Sequence, residues 1–304
     1  MTFRNHISLI LIILLFTATT CLGNIEFVDE FKNGNIEKAR LLFWEKIEDI
    51  NKNPPPLLGK VEAHKWTLIY KTLYYGILME ETRELVNLTI FIDIFSEALE
   101  KEKEDVVRST LFLQRGRLLR RVGDYNKSLK DLYEVEKIFR SNWNDSYLSN
   151  PTDGFQMEYL FLCNSSDAYL TIALILAACH DSQYRDGRRA VDYANNGLKL
   201  IENYKKYFGK ETNIRLKKEE SGKLAILAAS YAEDRNYQEA IKIQKQSIDK
   251  SRLIFDETII KSQQSQKEKI KKTYEKYLVD SEQILRLYMD GKPYRSPIPV
   301  KPIN

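Results

Sequence analysis

Between Arg108 and Phe139 apolar positions recur every three or four residues, break once, and resume in the same rhythm. In the first half Leu111, Phe112, Leu118, Leu119 and Val122 largely follow the i, i+3, i+4, i+7 spacing of one helix face. In the second half Leu129, Leu132, Val135 and Phe139 do the same. The break falls at Gly123-Asp124-Tyr125. Glycine reaches the left-handed backbone that ends a helix, and aspartate accepts from the free N–H groups that begin the next. Gly116 stands inside the first helix, where it costs about 1 kcal/mol against alanine unless a neighbouring helix needs the room. Ser128 is small where the two helices would cross. The pattern predicts helix, tight turn, helix.

The same rhythm returns elsewhere. Lys223 to Ile248 places Leu224, Leu227, Ala228, Tyr231, Tyr237 and Ala240 in the corresponding positions, with Arg235 at the turn where glycine is expected. Phe31 to Ile47 supplies a turn followed by Ala39 and Phe43. From Ala168 to Ile201 an apolar helix ends at Ala178, a turn carries Asp186-Gly187, and a partner helix begins at Arg188 with Ala190, Ala194 and Gly197 as its small residues. Pro54, Pro55 and Pro56 enforce a loop over residues 51–60. Ser141–Gly154 and Asn203–Asn213 read as two more loops, and residues 61–104 as two or three helical segments. Gly and Pro are absent from Lys223 to Asp290, so Lys261–Leu278 reads as a long, polar, exposed helix, or one that packs back as a solenoid cap.

The amino terminus breaks the pattern. Arg4 precedes the continuous apolar run Ile7–Phe16, and small residues follow to Gly23, the three-part form of a secretory signal. The run is short for a bilayer, and no later stretch approaches about 20 apolar residues. An exported chain follows, periplasmic or extracytoplasmic. It is either cut after Gly23 to start at Asn24, or tethered through a lipid on Cys21. The residues before Cys21 (Ala18, Thr19, Thr20) depart from the usual lipid-attachment pattern, which favours the cut.

Composition supports helices and removes one class of partner. With 12 Gly and 8 Pro in 304 residues, strand-and-turn architectures are disfavoured. Lys and Arg total 47 against 43 Asp and Glu, a net +4 spread along the chain and not gathered on one tail, which argues against nucleic acid. The organisation expected is a signal at 1–23, an N-terminal helical region at 24–104, repeats at 105–255, and a C-terminal helix and tail at 256–304.

The Ser109-based unit resembles a tetratricopeptide repeat, the helix–turn–helix module of about 34 residues. Gly116, Leu119, Gly123, Asp124, Tyr125, Ser128, Leu132 and Val135 fall on its recurrent positions, with serine replacing the usual alanine and the first-helix tryptophan absent. The small positions recur at Ala39, Ser128, Ala190 and Ala240 at unequal intervals, so the array is interrupted. Cys179 to Ala194, including Tyr184-Arg185-Asp186-Gly187, is similar to a variant found in exported bacterial proteins of this type, which usually carry proline where His180 stands. Arg286–Arg295 is similar to their carboxyl-terminal end. The resemblance implies an all-α solenoid of antiparallel helix pairs with irregular insertions, whose structural positions here are Gly116, Gly123, Asp124, Tyr125, Ser128, Ala178, Asp186, Gly187, Ala190, Ala194, Ala228, Tyr231 and Ala240. It also implies that first helices line a groove for protein or peptide ligands. Arg117, Arg120 and Arg121 would then face that groove and suit an acidic or carboxylate-ended peptide. Their plainer reading is a solvated flank.

Candidate chemistry is sparse. Cys179 and His180 invite a nucleophile-and-base reading beside Asp181, Arg185 and Asp186, but adjacent residues at a helix end usually point apart. The plainer reading is a packed thiol and a turn residue. Two histidines outside the signal, His64 and His180, lack paired ligand spacing, so no metal is expected. No phosphate loop, serine elbow or paired-carboxylate motif occurs, and no cofactor is expected. Cys163 and Cys179 would lie about 24 Å apart on one straight helix, too far to pair unless a turn intervenes. Sequons at Asn87, Asn126, Asn144 and Asn164 carry meaning only in a eukaryotic source, which the resemblance disfavours. The sequence thus points to a non-enzymatic scaffold or adaptor. A lipid-tethered accessory subunit of an envelope-assembly or enzyme complex is the alternative, and a Cys/His hydrolase the distant third.

Overall fold

The structure, a computed structural model, describes residues 26–52, 71, 88–143, 155–208, 214–261 and 264–297. They form α1 (Glu26–Lys32), α2 (Ile36–Lys52), α3 (Leu88–Lys101), α4 (Asp105–Val122), α5 (Tyr125–Asn142), α6 (Phe155–Ala178), α7 (Gly187–Phe208), α8 (Ile214–Glu233), α9 (Tyr237–Lys261) and α10 (Gln264–Met289). A 3-10 turn at Ser182–Tyr184 joins α6 to α7, and no strand occurs among the described residues. The chain is all-α. The segment expected to be a signal, with Cys21, the loop expected around Pro54, Pro55 and Pro56, and Asn87 and Asn144 all lie outside the described residues.

Sequential helices pair, α1 with α2, α4 with α5, α6 with α7 and α8 with α9. The pairs then join through their first members: α4 meets α6, and α6 meets α8. Each second helix also leans on the next first helix, α5 on α6 and α7 on α8. The small residues explain how these helices come so close. A Cβ added at Gly116 would sit 3.1 Å from Leu132 Cγ and 3.3 Å from the Ser128 carbonyl. Ser128 Oγ donates to the Gly116 carbonyl at 2.7 Å. The α6–α7 pair repeats this device: Gly197 lies against Leu170, and Ser166 Oγ donates to the Gly197 carbonyl at 3.0 Å. Ala190, Ala194, Ala228 and Ala240 are fully buried, as their small-residue assignment requires.

The core divides into two apolar clusters. The first is built on Phe43, Phe91, Phe95, Leu111, Leu118 and Ile172 of α2 to α6, draws in Phe27 of α1, and takes in Ala190 of α7 and Ala229 of α8. The second joins α6 to α10 through Leu170, Leu227, Ala228, Ala240 and Tyr288. Tyr193 and Tyr294 pack against both. Helix α6 therefore serves two cores at once, which accounts for its composition. Its Leu160–Ala178 stretch, with mean hydropathy 1.6, is long and apolar enough to cross a bilayer by length and composition. The expectation that no later stretch approaches about 20 apolar residues therefore does not hold for this 19-residue segment. In the fold 72% of that window is buried inside the protein, so it is a core helix.

Several expectations need adjustment. Helix α7 continues to Phe208, into the loop expected from Asn203, because no helix-breaking residue occurs before Gly209. The boundary expected between 255 and 256 falls inside α9, which is continuous to Lys261. Helix α10 needs no such adjustment: it is long and packs back on α9, where Phe255 and Tyr274 stack at 3.9 Å and Gln244 Nε2 donates to the Ser281 carbonyl at 3.3 Å.

A candidate partner-binding face

The face of interest is made by the first helices α4, α6 and α8 together with the segment after α10. Two local features set where α4 ends and α5 begins. Gly123 adopts φ 86°, and the N–H groups of Gly123 and Asp124 donate back to the Arg120 and Leu119 carbonyls. Asp124 Oδ1 accepts from Lys127 N at 3.1 Å. Asp186 likewise accepts from Arg189 N at 3.0 Å and starts α7. The Asp124 cap stands where the sequence placed it, and α7 begins at Gly187, one residue before the expected Arg188.

Gly187 has a reason that sequence reasoning missed. It opens α7 and presses on the α8–α9 turn, so a Cβ there would lie 2.3 Å from Asp234 N and 2.6 Å from Asp234 Cα. The α6–α7 turn is thereby held to the next turn along. Arg185 and Glu233 reinforce the contact at 3.4 Å.

The three predicted arginines are partly buried, and they differ. Arg117 Nη2 donates to Asp167 Oδ2 at 2.8 Å, and Lys223 approaches Asp167 Oδ1 at 3.5 Å. One carboxylate on α6 thus bridges cations on α4 and α8. Burial pushes the Asp167 carboxyl up, but Arg117 and Lys223 outweigh it and hold the group below its ordinary value. Arg120 has its Nε closed off from solvent, without a hydrogen-bond acceptor among the described residues. Burial lowers its guanidinium from the ordinary value, and repulsion from Arg117 and Arg121 adds to that. The phenols of Tyr125 and Tyr294 are near enough to act in the opposite sense.

The segment after α10 is pinned across the ends of α6 and α8. Gly291, at φ 68°, ends α10 with the same pair of bonds that closes α4. Arg295 Nη1 then reaches Glu233 Oε2 at 2.6 Å and donates to the Ala177 carbonyl at 3.2 Å. Ser296 N donates to the Ala178 carbonyl at 2.8 Å. Ala178, a predicted small position, therefore also serves as an acceptor for the tail.

The remaining candidates divide cleanly. Cys179 is buried, hydrogen-bonded to Tyr125, and burial pushes its thiol up, which suppresses the reactive thiolate. His180 is exposed, and no hydrogen bond joins it to Cys179. The catalytic pairing is not assembled in this geometry. Cys163 and Cys179 are not bonded to each other. Asn164 is buried and donates to Ser109 Oγ and Thr110 Oγ1, which locks that sequon inside the α4–α6 contact. Tyr231 is partly buried against the second cluster. No group of three or more His, Cys, Asp or Glu that could hold a metal occurs among the described residues.

Sequence reasoning did not find Asp167, Lys223, Glu233, Tyr294 or Arg295 as parts of this face. It also missed a half-exposed polar cluster on the α5–α7 side, where Tyr193 donates to Glu136 at 3.2 Å and Arg189 to the Tyr133 hydroxyl at 3.0 Å. The closing Lys292-Pro293-Tyr294-Arg295 motif was the available signal for the tail, since a Tyr-Arg pair after a helix-ending glycine has no role in helix formation.

No family model, no curated protein and no solved structure matches this chain.

Proposed function

We propose that the protein is an exported tetratricopeptide-like scaffold or adaptor that binds protein or peptide partners on the groove face of its first helices, without catalysis of its own. The observation that carries this reading is the joining of α4, α6 and α8 into one face, tied across by Arg117, Asp167 and Lys223. Solenoids use the surface formed by repeated first helices for extended ligands, because each repeat adds a short strip of side chains to it. The partner suited to Arg120 and Arg121 is an acidic segment or one ending in a free carboxylate.

A pull-down from native envelope extract tests the reading with three full-length proteins. These are the wild type, an Arg120→Gln/Arg121→Gln variant, and a Lys130→Gln/Lys137→Gln control on the exposed face of α5. The expected result is a partner retained by the wild type and the control and lost by the arginine variant, with unchanged circular dichroism in all three. Equal recovery by all three removes the groove face from consideration.

A further inference from the structure

The last four carbonyls of a helix lack donors within it, and where they are buried they must be satisfied from elsewhere. In α6 these belong to Ile175, Leu176, Ala177 and Ala178, all buried. Ile175 accepts from Cys179 N at 3.1 Å and Leu176 from Asp186 N at 2.9 Å, both in the α6–α7 connection. Ala177 and Ala178 are served by the tail instead, by Arg295 Nη1, 118 residues along the chain from Ala177, and by Ser296 N. The strap that does this is lightly attached. Gly291 at its root is exposed in open space, and between Lys292 and Ser296 no backbone-to-backbone hydrogen bond forms among the described residues. Its third tie is to Glu233, which lies between two guanidinium groups. Arg295 Nη1 stands 2.6 Å from Glu233 Oε2, and Arg185 Nε stands 3.4 Å from Glu233 Oε1. Arg185 Nε is closed off from solvent and makes no hydrogen bond among the described residues. A buried carboxylate that loses its only partner makes release very costly. Glu233 keeps a second cation beside it, supplied by the α6–α7 connection and not by the strap.

From this arrangement we infer that residues 291–296 form a latch that docks and undocks while α10 stays folded, with Arg185 as the counter-ion that holds Glu233 when Arg295 leaves. Docked, the latch completes the carboxyl end of α6 and fastens it to the end of α8 through Glu233. Undocked, it opens the Ala177 and Ala178 carbonyls to water, which replaces the lost donors. It also withdraws Tyr294 from the seam where the two apolar clusters meet. The latch therefore sets how firmly the two cores are joined, and it does so whether or not a partner occupies the groove face.

The test is amide hydrogen exchange of the full-length protein, read residue by residue by NMR and corrected for intrinsic rates. In the wild type the Ser296 N–H should exchange about a hundredfold faster than the Ala173 N–H in α6 and the Tyr288 N–H in α10, because the latch opens without global unfolding. Arg295→Gln should speed Ser296 exchange about tenfold further and leave Tyr288 unchanged. Arg185→Gln should act in the opposite direction and slow Ser296 exchange, because the open state then strands Glu233 without a counter-ion. A merely structural Arg185 would give faster exchange on removal. In a Glu233→Gln background the slowing by Arg185→Gln should vanish, since no charge is left to be stranded. Ser296 exchanging in step with Ala173 and Tyr288 in the wild type overturns the latch. That comparison needs no substitution, so it decides the matter even where a variant fails to fold. Faster exchange in Arg185→Gln, or slowing that persists with Glu233→Gln, overturns the part given to Arg185.

Discussion

The turn between α4 and α5 and the turn between α8 and α9 close with the same two hydrogen bonds but with different residues at the left-handed position. In the first, Gly123 at φ 86° donates to the Arg120 carbonyl at 3.2 Å, and Asp124 N donates to the Leu119 carbonyl at 2.9 Å. In the second, Arg235 at φ 63° donates to the Ala232 carbonyl at 3.1 Å, and Asn236 N donates to the Tyr231 carbonyl at 2.8 Å. The following caps match as well: Asp124 accepts from Lys127 N, and Asn236 from Glu239 N at 3.3 Å. Arg235 is the one non-glycine residue with positive φ among the described residues. The packing of Ala228, Ala232 and Ala240 forces the chain through that turn, and the backbone accepts a side chain where glycine would be easier. Tertiary contact here overrides local preference.

The comparison can be broken most severely from outside both turns. Gly187 on the α6–α7 connection rests against Asp234, inside the α8–α9 turn. Gly187→Ala should destabilise by about 3 kcal/mol, because the added methyl meets backbone and not a movable side-chain tip. Urea unfolding would measure this, and a loss below about 1 kcal/mol would show that the turns are not in register contact.

Exchanging the left-handed residues is the next largest effect. Gly123→Ala should cost about 1 kcal/mol, whereas Arg235→Gly should return a similar amount. Opposite signs in thermal or urea unfolding would establish that the two turns differ in strain and not in geometry. Equal signs would contradict that account.

The smallest effect distinguishes the residues that begin α5 and α9. Tyr125 is buried and its phenol is pushed up to about 12, chiefly by burial and then by Cys179. Its folded value lies above the unfolded one near 10, so its contribution is fully present below about pH 10 and is lost as pH rises toward 12. Stability measured from about pH 9 to 12 should therefore fall, and Tyr125→Phe should flatten part of that fall. Tyr193 and Tyr274, also pushed up to about 12, together with Tyr169, Tyr288 and Cys179, which burial raises too, retain the rest. A Tyr125→Phe profile parallel to the wild type would assign the alkaline loss elsewhere.

What was readable beforehand follows a physical division. Helices, turn glycines and caps depend on residues a few positions apart, so Gly116, Gly123, Asp124, Ser128 and Asp186 could be placed from spacing alone. The candidate face depends on residues that are distant in sequence. Asp167 lies fifty residues from Arg117 along the chain, and Arg295 lies farther still from Ala177. Nothing local marks such partners. Three arginines on one helix looked equivalent until the fold paired Arg117 and left Arg120 enclosed. The Cys179–His180 pair shows the converse: adjacency suggested chemistry, and the α6 terminus turned the thiol inward and the imidazole outward.

By itself, then, the amino-acid sequence determined an all-helical chain, the sites of its tight turns and the small residues at which helices meet, because these follow from backbone preference and short-range periodicity. Only the tertiary structure decided that α6 would serve two cores, that one carboxylate would bridge three first helices, and that the tail would fold across their ends. Those outcomes depend on which surfaces are buried together, and burial is a property of the assembled chain.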